Sequence, residues 1–194
     1  MKISHAALAL LAAISLSLGA CSSSVKTYYY TLQTDAAAAR AAAPTRQTSI
    51  ALAGVSLPEI VDRPQLVLRT GATQLDISDN HLWGQPLKSE IAHRLAVDLA
   101  RETGAARVIL PGQAGYDDAE MKLAVDILRF DSVPGKEATI EARWSVQRKG
   151  VTQPLSGHAL VREAVNGTSY DALVAAHGRA LAQLSREIAA TLKP

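Results

Sequence analysis

Apolar positions along the chain recur with two different periods, and the changes from one to the other predict its elements. Tyr28-Tyr29-Tyr30-Thr31-Leu32 is dense in β-forming side chains and predicts a first strand. Short β-type runs follow at Ile50–Leu57, Gln65–Thr70 and Gln74–Ser78, the last two separated by a turn at Gly71-Ala72. Pro58 and Pro64 bound a loop, Glu59-Ile60-Val61-Asp62-Arg63. The period then lengthens: Leu87, Ile91, Leu95 and Leu99 stand four apart. Pro86 suits the first helical turn, where its missing N–H is no loss, and Gly104 supplies a C-terminal stop. This spacing predicts an amphipathic helix with one buried face.

Arg107–Leu110 reads as a short strand closed by Pro111-Gly112. Met121, Leu123, Val125 and Ile127 alternate with Lys122 and Asp126, and then the phase flips to Leu128 and Phe130. A one-residue slip of this kind predicts a β-bulge near Ile127–Leu128. Pro134-Gly135 turns the chain into its clearest strand, with Ile140, Ala142, Trp144 and Val146 on one face and Glu141, Arg143, Ser145 and Gln147 on the other. One wet face implies antiparallel pairing. A turn at Lys149-Gly150 leads to a strand around His158–Val165. Thr168 as N-cap with Asp171 three residues on then opens a second helix. Its stripe is Tyr170, Val174, His177, Leu181, Leu184 and Ile188. So short a stripe serves either packing across its own sheet or coiled-coil assembly. The order of four strands, helix, four strands, helix predicts an α+β fold: a two-layer sandwich with both helices on one face of a mainly antiparallel sheet.

The segment ahead of the first strand carries a different signal. Lys2 precedes an apolar stretch from Ala6 to Leu18, too short for the roughly 20 residues that span a bilayer. It ends in Leu18-Gly19-Ala20-Cys21, and Cys21 is the chain's single cysteine. Small residues before a thiol make this a lipoprotein processing site, with an ordinary secretory signal as the alternative. Residues 1–20 are thus read as a signal peptide, 21–27 as a short lipidated tether, and 28–194 as one α+β domain in which the Ala-rich stretch 34–48 is a surface loop. Ser22 next to the cysteine fits outer-membrane sorting. Two or more acyl chains hold a protein stably at a bilayer. About six residues between Cys21 and the first strand reach no more than ~22 Å, which keeps the domain close to the membrane.

Composition narrows the rest. Processing leaves 174 residues with 19 basic and 18 acidic side chains, a balance that argues against nucleic acid. The mature chain has no second cysteine for a disulfide or a thiolate metal site. Aromatic residues are only 4% of a chain that is 48% hydrophobic, so the core must be aliphatic.

Catalytic constellations are fragmentary. Ser23-x-x-Lys26 and Ser78-Asp79-Asn80 lack the Lys-Thr-Gly that would complete them, and Glu90-x-x-His93 stands alone where a di-iron centre needs two such motifs. Ser156-Gly157 lacks the preceding glycine of a nucleophile elbow. His93 reads as an exposed helix residue and His177 as a satisfied histidine at the core edge. No enzyme activity and no cofactor are expected beyond the diacylglycerol and N-acyl lipid on Cys21. Two spots suit a partner. In Asp79-Asn80-His81-Leu82-Trp83-Gly84, an aromatic stands just before a helix; Trp83 either anchors a partner or packs the helix onto the sheet. In Leu57–Pro64, Asp62 and Arg63 either meet a partner or fix the loop by local hydrogen bonds.

These same residues carry a resemblance. Tyr29-Tyr30-Thr31-Leu32 soon after Cys21, Val55-x-Leu57-Pro58, Asp62-Arg63-Pro64-Gln65-Leu66-Val67 with Arg69, and Trp83-x-x-Pro86-Leu87 ahead of Leu95-Ala96-x-x-Leu99 resemble the PqiC-type family of ABC-type transport auxiliary lipoproteins. The resemblance implies a non-enzymatic outer-membrane lipoprotein on the periplasmic face. Such a protein would dock a tunnel-forming, PqiB-like MCE-domain protein and its inner-membrane permease system, so that phospholipid crosses the periplasm and membrane integrity is kept. Asp62, Arg63, Pro64, His81 and Trp83 would then contribute to docking or to self-association into a ring. The competing reading is a lipid-binding carrier with its own cavity.

Overall fold

The computed structural model describes residues 25–32 and 47–192. The signal segment 1–20, Cys21 and residues 34–46 of the Ala-rich stretch lie outside them. Along the described chain run β1 (Tyr28–Tyr30), β2 (Ser49–Ser56), β3 (Gln65–Arg69), β4 (Leu75–Trp83), α1 (Leu87–Thr103), β5 (Arg107–Ile109), β6 (Met121–Val133), β7 (Glu137–Arg148), β8 (Leu155–Ala164) and α2 (Tyr170–Leu192). The architecture is α+β, and its strands form two mixed sheets: a five-stranded one in the order β5-β2-β6-β7-β8 and a three-stranded one in the order β1-β4-β3.

Alternation in β7 sets the layering of the larger sheet. Ile140, Ala142, Trp144 and Val146 are buried while Arg143, Ser145 and Gln147 are exposed, because successive side chains leave opposite faces of a strand. The buried row meets α2. Val174, His177, Leu181, Leu184 and Ile188 are all buried, so the helical stripe is consumed inside the domain and is not left for a coiled coil. Each fully buried Leu or Ile here contributes about 1.5–3 kcal/mol relative to exposure. Leu87, Ile91, Leu95 and Leu99 of α1 join the same cluster, which reaches both sheets. The outer face of the five-stranded sheet is left to solvent.

Local expectations hold in part. Gly104 ends α1 in the left-handed region at φ 65°, and the β6–β7 register slips between Ile127 and Arg129, where the phase change pointed. A further slip in β2, between Leu52 and Gly54, had no phase signature. Pro86 stands one residue ahead of α1, and its carbonyl accepts from Ser89 and Glu90 at 2.8 and 3.1 Å. The cap of α2 is Ser169 and not Thr168: the Ser169 hydroxyl accepts from Ala172 N at 3.1 Å. β4 also runs on to Trp83, so residues expected in a loop before the helix belong to a strand. The polar Asp79-Asn80 hid this, because pairing with β1 and not apolarity extends that strand.

Candidate docking site

The proline-bounded loop after β2 is held from both ends. Val61 N and Asp62 N both donate to the Pro58 carbonyl, at 3.0 and 3.2 Å, a tight turn that sinks Val61 into the core. Ile60 is left 44% exposed. At the far end, Trp83 N donates to the Pro64 carbonyl at 2.7 Å, tying the loop to the end of β4. Asp62 and Pro64 are exposed and Arg63 is half-buried. The Arg63 Nε is buried without a hydrogen-bond partner. Local hydrogen bonding of the loop is thus a backbone matter.

Trp83 itself is 6% exposed and meets Phe130 edge-on, with ring centroids 6.3 Å apart. It forms part of the core floor under the loop and offers no free ring to a partner. His81 stands two residues earlier in a column of rings. It stacks on Tyr170 at 3.6 Å and on Tyr28 at 5.0 Å, and Tyr30 Oη lies 2.6 Å from its Nδ1 in a hydrogen bond. Tyr170 Oη donates to Ser78 Oγ at 3.4 Å, so the column ties β1 and β4 to the start of α2. Burial, with the nearby Asp171 carboxylate second, raises the Tyr30 phenol above its ordinary pKa. Stacked rings of this kind add about 0.5–1.5 kcal/mol per pair beyond their burial.

Behind β1, α1 supplies a polar clamp. The Glu90 Oε2 accepts from Leu32 N at 3.0 Å and from Thr31 Oγ1 at 2.9 Å, while Arg94 Nη1 donates to the Leu32 carbonyl at 3.1 Å. Arg94 is in turn paired with fully buried Asp98 at 2.7 Å. The guanidinium reaches Leu32, just beyond β1, beside Gly178 of α2, where a Cβ would lie 3.2 Å from Arg94 Nη1. Glu90 therefore faces inward, and His93, exposed, donates Nδ1–H to the Ser89 carbonyl at 2.7 Å. The two do not converge. Among the described residues no group of three or more His, Cys, Asp or Glu could hold a metal ion.

The two sheets are bridged by a second polar group. Arg69 of β3 donates to Asp131 of β6 at 3.0 Å, and Arg129 pairs with the same carboxylate. Burial alone would raise the Asp131 carboxyl, but hydrogen bonds from Arg69 and Arg129 outweigh it and hold it below the ordinary range. Next to it, His177 is fully buried rather than at the core edge. It stacks on Phe130 at 4.0 Å, and its Nε2 lies 2.7 Å from Ser132 Oγ. Desolvation drives its pKa down to about 3, so the ring is neutral.

A depression of about 820 Å³ opens on the outer side of the five-stranded sheet, where small residues Ala53, Gly54 and Ala124 leave room and Lys88 and Arg143 stand at its border. Arg143 is engaged there with Asp126 at 3.0 Å. Hydrogen bonds from Ser56 first and Arg143 second hold the Asp126 carboxyl below its usual value.

Sequence reading thus named the loop, His81 and Trp83, but missed Tyr28, Tyr30, Tyr170, Glu90 and Arg94. One signal was available: three consecutive tyrosines in an aromatic-poor chain. Another was Glu90 and Asp98 on the flank of an apolar helical stripe, where a carboxylate needs a partner.

No curated protein matches the chain. Solved structures do. One is an uncharacterised protein at 20% identity with a TM-score of 0.71, covering 87% of this chain and 100% of the other. A second, a protein from Xanthomonas campestris, has 22% identity and a TM-score of 0.65, over 84% of this chain and 95% of the other. The PelC dodecamer from Paraburkholderia phytofirmans is more distant, at 12% identity and a TM-score of 0.42, over 76% and 91%. Residues 30–189 match the ABC-type transport auxiliary lipoprotein component family, a span that runs from the last residue of the tyrosine strand through the proline loop and the α1 clamp over nearly all of α2. This chain belongs to that family.

Proposed function

We propose that the protein is a non-enzymatic docking platform: a lipoprotein anchored through diacylglycerol and N-acyl chains on Cys21 to the periplasmic face of the outer membrane. There it receives a PqiB-like MCE-domain tunnel fed by an inner-membrane permease, for phospholipid transport. The observation that carries this reading is the polarity of the three-stranded sheet. β1 runs parallel to β4, Tyr28 beside His81 and Tyr30 beside Trp83, so the tether enters toward the β3–β4 turn. The proline loop sits at the other end, bonded to Trp83. β1 lies against the last three residues of β4, so Tyr28 stands two residues, about 7 Å at ~3.3 Å per residue, from the rung that bonds the loop, and the chain ahead of it runs back along β4 away from the loop. A platform requires the tether and the partner surface to leave the end of β4 in different directions, one toward the bilayer and the other toward the partner.

In this reading Asp62, Arg63 and Pro64, with Ile60 beside them, form the contact surface, His81 braces the strand behind it, and Trp83 supports the loop from below. The same surface serves self-association into a ring if a second copy, not the tunnel, occupies it. The test is capture of the MCE-domain protein by the full-length lipoprotein. Arg63→Glu and Ile60→Asp each abolish capture while the melting temperature holds; capture unchanged by both would exclude this loop. A lipid carrier is the second reading, and the 820 Å³ depression with its Lys88 border is the feature that favours it. Stoichiometric phospholipid in mass spectra of the purified protein would select the carrier instead.

A further inference from the structure

The free edge of β1 carries the most exposed aromatic surface among the described residues, and nothing in the docking reading uses it. Tyr29 is 68% exposed and Tyr28 42%, behind Val25 at 74%. β1 is the outer strand of its sheet, so its far edge has no strand partner. Lys26 lies with Nζ 5.0 Å from the Tyr28 ring centroid, an ammonium on a long apolar stem beside a phenol. The strand is nonetheless rigidly held. The His81–Tyr170 column grips it from one side, and Glu90 and Arg94 fix the backbone just beyond it. Exposed tyrosines on a flexible tail would need no explanation; exposed tyrosines on a clamped strand do.

The length of chain beyond this strand says what covers it. Four backbone steps separate Cys21 from Val25, at most about 14 Å when extended. The polar headgroup layer is about 5–8 Å thick on each side of the hydrocarbon. A lipid on Cys21 therefore keeps Val25 within about 14 Å of the lipid attachment, and Tyr28 and Tyr29, seven and eight steps on, within about 25 and 29 Å, so the strand can reach the headgroups. Tyrosine is suited to that depth, because its ring is apolar and its hydroxyl stays wet, and lysine can lay its stem along the same boundary. Exposed Asp76 and Asp79 on the neighbouring strand oppose any cationic patch, so the surface fits zwitterionic headgroups better than anionic ones.

We propose that the free edge of β1, through Val25, Lys26, Tyr28 and Tyr29, seats in the zwitterionic headgroup layer of the bilayer and fixes the orientation of the domain on it. This rests on the lipid anchor at Cys21 and adds a second, non-covalent contact. A lipoprotein held only by its acyl chains would swing on its tether. One seated along β1 holds β4 and β3 in order above the headgroups, with the proline loop entering the strand farthest from that edge.

The test places a reporter at the edge. Trp83 and Trp144 are 6% and 5% exposed, a constant buried background. Full-length lipidated Tyr29→Trp is reconstituted in phosphatidylethanolamine–phosphatidylcholine vesicles with acyl chains brominated near the headgroup. Its emission shifts to the blue and the reporter's added intensity is largely lost. Leu160→Trp, at a 42%-exposed site on β8 of the other sheet, keeps its emission. Flotation with the vesicles, compared with Cys21→Ala, reports on the anchor alone. Protein that floats through Cys21 but leaves Tyr29→Trp unquenched, or quenches both reporters equally, keeps the anchor and overturns the seating. Flotation that survives Cys21→Ala with Tyr29→Trp unquenched overturns both.

Discussion

The two sheets solve the same folding problem by different means. The five-stranded sheet is held by aliphatic side chains against α2 and by long antiparallel ladders, twelve register pairs between β6 and β7 alone. The three-stranded sheet has short strands, only three pairs between β1 and β4, and relies on stacked rings and on hydrogen bonds from α1. Aliphatic burial is non-directional and tolerates variation, whereas a clamp of named donors and acceptors fixes one strand at one height. The lesson concerns placement: the larger sheet provides stability, and the smaller one holds β1 and the proline loop against the same end of β4.

The contrast can be broken in three ways. The largest effect belongs to Leu181→Ala, which leaves a cavity beneath the five-stranded sheet and lowers global stability by about 2–5 kcal/mol in denaturant unfolding. Hydrogen exchange of β6 and β7 should accelerate by the same free energy, because those strands open only globally. Glu90→Ala comes next. It leaves Leu32 N without its acceptor at a cost of about 1–3 kcal/mol. Here faster exchange should be confined to residues 28–32, with β7 unchanged. If β7 loosens equally, the sheets are one cooperative unit and the comparison fails.

A third effect is graded with pH and comes from the seam between the sheets. His177 has a pKa of about 3 when folded against an ordinary 6.5, so between those values the unfolded chain binds the extra proton. Its contribution is full above pH 6.5 and is lost as pH falls toward 3, at about 1.4 kcal/mol per pH unit. Asp131, held low by its arginines, adds to the loss only below the ordinary carboxylate range. Urea midpoints at pH 7, 6 and 5 should decline accordingly, and His177→Phe should flatten the decline over this range.

Reading the residues went furthest where periodicity is strong. The stripe of α1, the alternation of β7 and the slip near Ile127 were all visible, since each reflects a chain with one buried face. The end of β4 was not visible. Asp79 and Asn80 look like a loop, and only the arrival of β1, some fifty residues distant, pairs the His81–Trp83 stretch that follows them. The N-cap of α2 was misplaced by one residue because Thr168 and Ser169 are adjacent and equally able to cap. Trp83 shows the same limit, as an aromatic beside a helix start looks the same whether its ring faces a partner or Phe130.

What the amino-acid order determined by itself was local: which segments are strands or helices and which side of each is apolar. Two strands that alternate equally well say nothing about which will be neighbours. Tertiary structure therefore decided that the strands divide into two sheets and that β1 lies parallel to β4. It also decided that Glu90 and Arg94 of α1 hold Thr31 and Leu32 just beyond β1. Those contacts depend on packing between residues far apart in sequence, where each partner's environment is made by the other.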